Sequence, residues 1–416
     1  DLVSFKKEIQ ERYSVILAPA SQAELTTLAD RMTRTLKTFV PDSDIRVDLQ
    51  WLPPPEINIP LPQADVKIFE DGYSSAVSRT GHGLQRAFIL TILQHLALAQ
   101  STMTAEEASE EQNQANQEIR LPNLLLAIEE PELYQHPNRQ RHLAKILSQL
   151  ALGKIPGVAE KTQVVYSTHS PLFVGIDRAD QIRLLRKTSH TPDKPKVTRV
   201  ISTNLDKVAE TIWEADGKPS QQYTGETLLP RFRAIMTPWM SEGFFAGVVV
   251  LVEGEDDRAA ILGVATAMGY DLESKGISVI PCDGKSNLDR PTTLFRHLGI
   301  PVYVVWDSDR CEKNAKPNDN HRLLRLMGQP VEDWPCQVNK QFACFERNLE
   351  CTLQEEIGKA EFEQWLQGCQ EDFCIPEKRH AIKNPVVVTE VIRKAQQYGR
   401  ISATLENIVN RILVLK

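Results

Sequence analysis

The sequence predicts an α/β protein, and two observations predict that class. Short apolar runs typical of buried strands recur along the chain, and several end directly in acidic residues. From residue 247 onward, strand-like and helix-like patterns alternate, which predicts a mainly parallel sheet with right-handed crossovers and flanking helices. The length of 416 residues and the 41% hydrophobic content suffice for two or three domains with cores of their own.

Composition excludes several classes of protein. No apolar run approaches the ~20 residues that a membrane-spanning helix needs, and no pattern typical of a signal peptide is present. The seven cysteines are scattered and none is spaced C-x-x-C, which disfavours a disulfide framework or a zinc site and fits a reduced, cytoplasmic compartment. The net charge of −7 argues against a uniformly basic nucleic-acid-binding protein, whereas local basic patches remain compatible with it.

Residues 1–44 are predicted to form a helical segment. Ser21 is a candidate helix cap because Glu24 follows at the capping-box spacing. Residues 45–70 then alternate as two strands, separated by the proline-rich connection 53–62. The apolar positions that recur every three or four residues in the first helix, and that would bury one face, are Leu25, Leu28, Met32, Leu36 and Phe39.

A glycine-rich segment, SRTGHGLQR, precedes a strongly apolar helix. Gly81 and Gly83 stand just before that helix, where free backbone N–H groups and the positive end of the helix dipole favour phosphate. A simple turn into a buried helix is an equally good interpretation of these residues alone. The polar residues 101–120 are predicted to form a surface loop.

Two further apolar runs end in polar residues. The run 124–128 is followed by Glu129 and Glu130. In TQVVYSTHSPLF, a second strand-like run is followed by a polar segment that contains His169. Paired acids after a strand are how nucleotide-binding ATPases hold magnesium and orient water. Solvated acids at an ordinary turn are the alternative, but a histidine at the same sheet edge makes a site the better interpretation.

These segments resemble motifs of ABC-type ATPases of the chromosome-maintenance and DNA-repair kind. LLLAIEEPELYQHP resembles their Walker B and D-loop segment, STHSP their H-loop, and TGHGLQR their signature motif. The resemblance implies that Glu129 binds magnesium through water, that Glu130 polarises the attacking water and that His169 senses the γ-phosphate. The residues implied to contact the nucleotide of a partner subunit are Gly81, Gly83 and Gln85.

The phosphate loop of these ATPases is missing from the sequence. No G-x-x-x-x-G-K-[ST] occurs, and the nearest fragment, Gly284-Lys285-Ser286, lacks the upstream glycine. We therefore expect the chain to be the carboxyl-terminal part of a longer protein that binds ATP. We expect no ATP hydrolysis by this chain on its own.

The second half of the chain carries the richest acidic pattern. The buried-strand run 248–252 is followed directly by Glu253, and Asp257 lies in the first turn of the next helix. In PVYVVWDSDR, a second apolar run leads into Asp307 and Asp309. Residues two apart on a strand point the same way, and open α/β sheets bind ligands at the carboxyl ends of their strands. Clustered carboxylates select magnesium or manganese. A structural acidic cluster capped by arginines is the alternative, with Arg258 and Arg310 as candidates.

The Glu-Gly and Asp-x-Asp pair, each after a strand, resembles the Toprim domain of topoisomerases, primases and certain nucleases. An ATPase half followed by Toprim resembles the overcoming-lysogenisation-defect (OLD) family of nucleases. The implied domains are a helical dimerisation segment at 1–44, the second half of an ABC-type ATPase domain at 45–243, and a Toprim nuclease domain at 244–416. The hairpin-like residues 181–200 fall in the second of these, and the mostly helical residues 205–245 bridge to the third.

The OLD resemblance implies specific site residues. The metal ligands would be Glu253, Asp257, Asp307 and Asp309, with Asp257 standing where many members carry glutamate. The family also uses a later glutamate and a lysine that stabilises the pentavalent phosphate. The candidates are Glu350 with Glu346 as rival, and Lys383 with Lys378 and Arg379 as rivals.

The function implied is a metal-dependent DNA endonuclease with two Mg²⁺ or Mn²⁺ ions per site and Ca²⁺ as a possible substitute. The resemblance also implies a homodimer, a role in phage defence or DNA repair, and a helicase as a partner in some members. A topoisomerase or primase is one alternative, although Tyr303 lies inside a strand and the cysteine spacing offers no zinc module. A non-catalytic ATPase-type dimerisation module is the other.

Overall fold

The protein, analysed as a computed structural model, divides into two compact units, Asp1–Phe173 and Val174–Lys416. The structure describes residues 18–39, 45–51, 64–92, 95, 123–155, 161–188, 195–218, 223–235, 237–310, 312 and 315–415. The predicted connection 53–62 and the predicted loop 101–120 lie outside the described residues. None of the helices in the described part of the chain combines the length and apolar character that crossing a bilayer requires.

The first unit contains an antiparallel sheet in the order β1-β2-β3 and a separate parallel pair, β4-β5. The two strands predicted within residues 45–70 are present and pair with each other. The elements are α1 (Ala18–Phe39), β1 (Arg46–Trp51), β2 (Ala64–Glu70), β3 (Tyr73–Ala76), α2 (residues 82–92), β4 (Asn123–Glu129), α3 (Pro137–Ala151) and β5 (Lys161–Ser167).

Two details of the predicted first helix are wrong. Ser21 lies inside α1 and so does not cap it. Leu28 is exposed, and Ala29 is buried in its place. The buried stripe therefore runs through Ala29, Met32, Leu36 and Phe39, because this is the side of α1 that packs with β1 and α3.

The second unit is built on a five-stranded sheet in the order β11-β12-β10-β8-β9. Strands β9, β8, β10 and β12 are parallel and β11 is antiparallel to β12, so the predicted parallel sheet is confirmed. The strands are β6 (Leu184–Thr188), β7 (Val197–Ile201), β8 (Val248–Val252), β9 (Ile277–Pro281), β10 (Val302–Asp307), β11 (Gln337–Val338) and β12 (Phe342–Phe345).

The helices of this unit cover both faces of the sheet. They are α4 (Leu205–Asp216), α5 (Gly225–Ala234), α6 (Pro238–Glu242), α7 (Glu255–Ala267), α8 (Asp289–His297), α9 (Asn318–Leu326), α10 (Leu349–Ile357), α11 (Lys359–Asp372), α12 (Lys378–Ala381), α13 (Pro385–Gln397) and α14 (Ala403–Val414).

Alternate residues of β8 enter two different cores. Val250 packs with α7, α10, α11, α13 and α14, whereas Leu251 packs with α4, α5, α8 and α9. Because both faces are covered, the central strands are continuously apolar. The helices of residues 205–242 thus share a core with the sheet, while the predicted domain bounds at 44 and 243 stay predictions. The hairpin predicted at 181–200 is present as antiparallel β6 and β7.

Candidate functional site

The carboxyl ends of the central parallel strands meet at one edge of the sheet. Val252 of β8 lies beside Val305 of β10, and Asp307 lies beside Phe345 of β12. Glu253 directly follows β8, so its carboxylate reaches the backbone of the neighbouring strand, where the Asp307 N–H donates to Glu253 Oε2 over 3.4 Å. The edge predicted from the sequence therefore exists.

Asp309 reaches this edge by a different route from the one predicted. It lies beyond the last residue of β10, with φ at +59°, so the alternation of a strand does not set its direction. Its N–H donates to the Arg347 carbonyl over 3.2 Å. The side chain is held by Lys285, whose Nζ donates to Asp309 Oδ2 over 2.5 Å and to the Asp307 carbonyl over 2.6 Å.

Lys285 is a site residue that the sequence analysis missed. It follows β9, the strand next to β8, and its side chain is only 8% exposed. In the sequence, this residue stood out only as part of an incomplete phosphate loop, Gly284-Lys285-Ser286. The informative signal was that ISVIP is a third buried strand, so its loop had to reach the same edge as Glu253.

Three carboxyl groups at this edge have raised pKa values. Burial is the main cause for each, followed at Asp307 by the charges of Asp257, Glu253 and Asp309, and at Asp257 by the charge of Asp256. At Glu253, burial raises the pKa, Lys285 lowers it and Asp309 raises it. Like charges in a region of low dielectric therefore make the ionised edge costly without an added cation.

A cavity of about 130 Å³ opens beside these carboxylates. Asp257, Asp307 and Asp309 line one side of it, and Glu350 in the first turn of α10 lines it as well. Asn348 caps α10, with its side chain accepting a bond from the Cys351 N–H over 2.8 Å. The Leu349 N–H donates to Asp307 Oδ1 over 3.1 Å, so the start of α10 orients Asp307 directly. The apolar wall consists of Ala260, Leu349, Leu353, Phe362, Leu366, Ile382, Val388 and Val391.

The candidates for the late glutamate and lysine occupy different surroundings. Glu350 pairs with Lys378 at 3.5 Å, and Lys378 also pairs with Glu363 at 2.6 Å. The rival Glu346 pairs instead with Arg310. Lys383 is exposed on the turn between α12 and α13, next to Ile382 of the cavity wall, and Arg379 pairs with Glu377 at 2.5 Å.

The arginines proposed as caps of a structural acidic cluster lie elsewhere. Arg258 donates to the Val279 carbonyl over 3.2 Å and stacks on Trp239. Arg310 pairs with Glu346, as above. Lys285, in contrast, is bonded within the carboxylate edge, where its single positive charge faces a group of four carboxyl side chains.

The donor set suits a hard divalent cation, because carboxylate oxygens are its preferred ligands and a cation would offset the repulsion. Within the described residues, no three His, Cys, Asp or Glu side chains already converge on one point. A divalent ion at this edge would therefore need the carboxylates to move closer together.

The first unit has its own polar edge at β4 and β5. Glu129 lies beside Ser167, and the Glu130 N–H donates to the Ser167 carbonyl over 2.9 Å. His169 Nε2 lies 3.4 Å from Glu130 Oε1, so the predicted juxtaposition of paired acids and histidine is confirmed. Glu130 has φ at +45°, which turns the chain sharply at the strand end.

The glycine-rich segment begins α2 near the same edge. The helix starts at residue 82, so Gly81 precedes it but Gly83 lies in its first turn, contrary to the prediction that both precede it. Gln85 donates its side-chain N–H to the Thr80 carbonyl over 2.9 Å. Arg86 donates to the Glu130 carbonyl over 2.6 Å, which ties α2 to the paired acids.

Comparison with family models agrees with this division of the chain. A model of the overcoming lysogenization defect protein-like TOPRIM domain matches residues 244–309, and an AAA ATPase domain model matches residues 4–174. The mixed α/β fold with an ATPase-like region and a Toprim domain is thereby established.

Two curated proteins are similar in sequence. The OLD nuclease of Thermus scotoductus is 29% identical over 184 residues, covering 44% of this chain and 30% of that protein. The Old nuclease of Escherichia phage P2 is 23% identical over 334 residues, covering 77% of this chain and 50% of that protein. The chain therefore spans half or less of the length of these relatives.

Solved structures are also similar in part. The C-terminal region of the Burkholderia pseudomallei OLD protein is 21% identical, with a TM-score of 0.29, covering 40% of this chain and 97% of that one. The corresponding region of the Xanthomonas campestris OLD protein is 17% identical, with a TM-score of 0.27 and coverages of 41% and 94%. The two domain models and the two curated nucleases thus show similarity to OLD proteins in both units of the chain.

Proposed function

We propose that the second unit is a divalent-metal-dependent nuclease that hydrolyses phosphodiester bonds of DNA. The observation that carries the proposal is the edge formed by Glu253, Asp257, Asp307 and Asp309, where burial and mutual repulsion raise the pKa values of three of the four carboxyl groups. The match to the TOPRIM model and the similarity to the OLD nucleases supply the substrate class.

We assign the ligands Glu253, Asp307 and Asp309 to one ion and add Asp257 and Glu350 for a second. Mg²⁺ or Mn²⁺ bound there would activate water and stabilise the leaving oxygen. The backbone N–H of Leu349 orients Asp307, and the N–H of Gly254 orients Asp257 over 2.9 Å. Asn348 caps α10, whose first turn carries Glu350, and Glu350 lines the same cavity.

The positive charge facing the phosphate would come from the turn around α12. We retain Lys383, which is exposed and free to reach a substrate next to the cavity wall. Lys378 is the rival, and its pairs with Glu350 and Glu363 would have to loosen first.

A topoisomerase is disfavoured at this site. Tyr303 is fully buried in β10, and its hydroxyl donates to the carbonyls of Asn339 and Phe342. It therefore has no access to a phosphodiester as a nucleophile.

We further propose that the first unit regulates the nuclease as a dimerising ATPase region, with ATP bound in the complete protein. The contacts of His169 and Arg86 with Glu130 support a nucleotide-sensing edge. A homodimer, a helicase partner and a role in phage defence or DNA repair follow only from the likeness to the OLD nucleases.

Incubation of the chain with supercoiled plasmid tests the nuclease directly. We expect nicked and linear products with Mg²⁺ or Mn²⁺, and a loss of at least about 100-fold in rate for Asp307→Ala, because a ligand to the ion is removed. The exposed Lys340→Gln is the matched control and should cleave at the unsubstituted rate.

Two outcomes would contradict the proposal. Topoisomers without strand breaks would favour a topoisomerase. Cleavage by Asp307→Ala at the unsubstituted rate would show that the activity resides elsewhere or belongs to a contaminant.

A further inference from the structure

The loop that carries Lys285 is rigidly built. It runs from Cys282 to Leu288 between β9 and α8, and Asp283 and Gly284 have φ values of +54° and +119°. Such values favour glycine at position 284. The Gly284 N–H donates to the Glu253 carbonyl over 2.9 Å, so the loop is fastened to the end of β8.

Side chains fasten the other half of this loop. Asn287 donates to the carbonyls of Cys282 and Asp283 over 3.0 and 2.9 Å. Arg290 donates to the Ser286 carbonyl over 3.0 Å and to the Asn287 amide oxygen over 2.8 Å. The backbone that carries Lys285 is therefore fixed before any ligand arrives.

This rigid loop aims the Lys285 ammonium group at the carboxylate edge. The group donates to Asp309 Oδ2 and to the Asp307 carbonyl, and the Lys285 side chain is only 8% exposed. The charge of Lys285 is also the largest factor lowering the pKa of Glu253. One ammonium group thus bonds the Asp309 carboxylate and the Asp307 backbone carbonyl and acts on the charge of Glu253, in the region where a divalent ion would be bound.

A divalent ion and this ammonium group compete for the carboxylate of Asp309. A carboxylate oxygen that accepts a bond at 2.5 Å from an ammonium group has to turn or lose that bond to ligate an ion. The two cations also repel each other at this range.

We propose that Lys285 is an internal counter-cation that holds Asp309 in the metal-free chain and that a divalent ion displaces it from this carboxylate. This inference rests on the proposed function, because it assumes that Asp309 is one of the ligands of the divalent ion. Its consequence is that Lys285 weakens metal binding while stabilising the metal-free site.

Calorimetric titration of the metal-free chain with Mn²⁺ tests this role without reference to cleavage. At about pH 8.5, where protons compete least for the carboxylates, we expect Lys285→Gln and Lys285→Met to bind Mn²⁺ about tenfold more tightly than the unsubstituted chain. In EDTA, both variants should melt at a lower temperature, and Mn²⁺ should raise that temperature more than it does for the unsubstituted chain.

Lys340→Gln removes the same charge from an exposed position and should leave the Mn²⁺ affinity unchanged. Unchanged or weaker binding by the Lys285 variants would overturn the counter-cation role and indicate a merely structural lysine, leaving the nuclease proposal intact. Failure of the unsubstituted chain to bind Mn²⁺ would overturn both proposals.

If neither Lys285 variant folds, the unsubstituted chain still decides the matter. A crystal structure with Mn²⁺ bound should show Lys285 Nζ moved away from Asp309. Retention of the 2.5 Å contact beside a bound ion would overturn the inference.

Discussion

At the scale of single residues, the decisive feature is the imbalance of charge around Asp307. Its carboxyl group is buried and faces Asp257, Glu253 and Asp309, and burial together with these neighbours raises its pKa. Lys285 is the cation bonded at this edge. A buried carboxylate without sufficient positive charge destabilises the folded state, and a bound divalent ion removes that penalty.

The pH dependence of stability follows from these shifts. The pKa of Asp257 is raised from 3.8 to about 7, and that of Asp307 is raised further above the same ordinary value. Between pH 4 and 7 the folded chain therefore binds more protons than the unfolded chain, so the free energy of unfolding falls as pH rises. We expect the metal-free chain to be less stable at pH 8 than at pH 5 by at least about 1 kcal/mol.

Tryptophan fluorescence in urea with EDTA measures this, because five of the six tryptophans lie in the second unit. Asp307→Asn should flatten the profile, and Mg²⁺ should stabilise the chain more at pH 8 than at pH 5. A metal-free stability that rises steadily from pH 5 to pH 8 would show that these carboxylates are ionised at little cost.

Residue-level prediction succeeded where a strand delivers the side chain directly. Glu253 and Asp307 are adjacent to apolar runs, so their place at the sheet edge followed from the strands alone. The position of the Asp309 side chain depends on the left-handed backbone conformation of that residue, and the position of Lys285 depends on the pairing of β8 with β9. A local sequence pattern reveals neither the conformation nor the pairing.

At the scale of elements, the alternation of strands and helices from residue 247 predicted the parallel sheet correctly. The strand order β12-β10-β8-β9 could not be predicted, because it depends on which crossovers pack together. The helices that follow β12 share a core with one face of the sheet, and one of them, α13, packs against α7 far away in the sequence.

Gly263 permits this close approach of α7 to α13. A Cβ at this position would lie 2.7 Å from Val388 Cγ1 and 3.1 Å from the Thr389 backbone nitrogen. Helix propensity alone favours alanine over glycine by about 1 kcal/mol. We nevertheless expect Gly263→Ala to destabilise the chain by about 1–3 kcal/mol, because overpacking between two helices outweighs propensity.

Urea unfolding measures this change, with Thr266→Ala on the exposed side of α7 as the control that should stay within about 0.5 kcal/mol. A more stable Gly263→Ala would mean that α7 and α13 are packed less tightly than the structure indicates.

At the scale of the whole molecule, the two units carry different polar edges. The edge of the first unit has paired acids and His169, but the sequence contains no phosphate-loop motif. We expect no ATP turnover by the purified chain. A phosphate-release assay comparing the chain with Glu130→Gln checks this, and turnover that disappears in Glu130→Gln would refute it.

The central claim is that the carboxylate edge of the second unit binds divalent metal, and anomalous diffraction from crystals of the chain grown with Mn²⁺ tests it most directly. We predict an anomalous peak within about 2.2 Å of oxygens of Glu253, Asp307 and Asp309. Crystals saturated with Mn²⁺ that show no peak at this edge, with Lys285 still bonded to Asp309, would contradict the account.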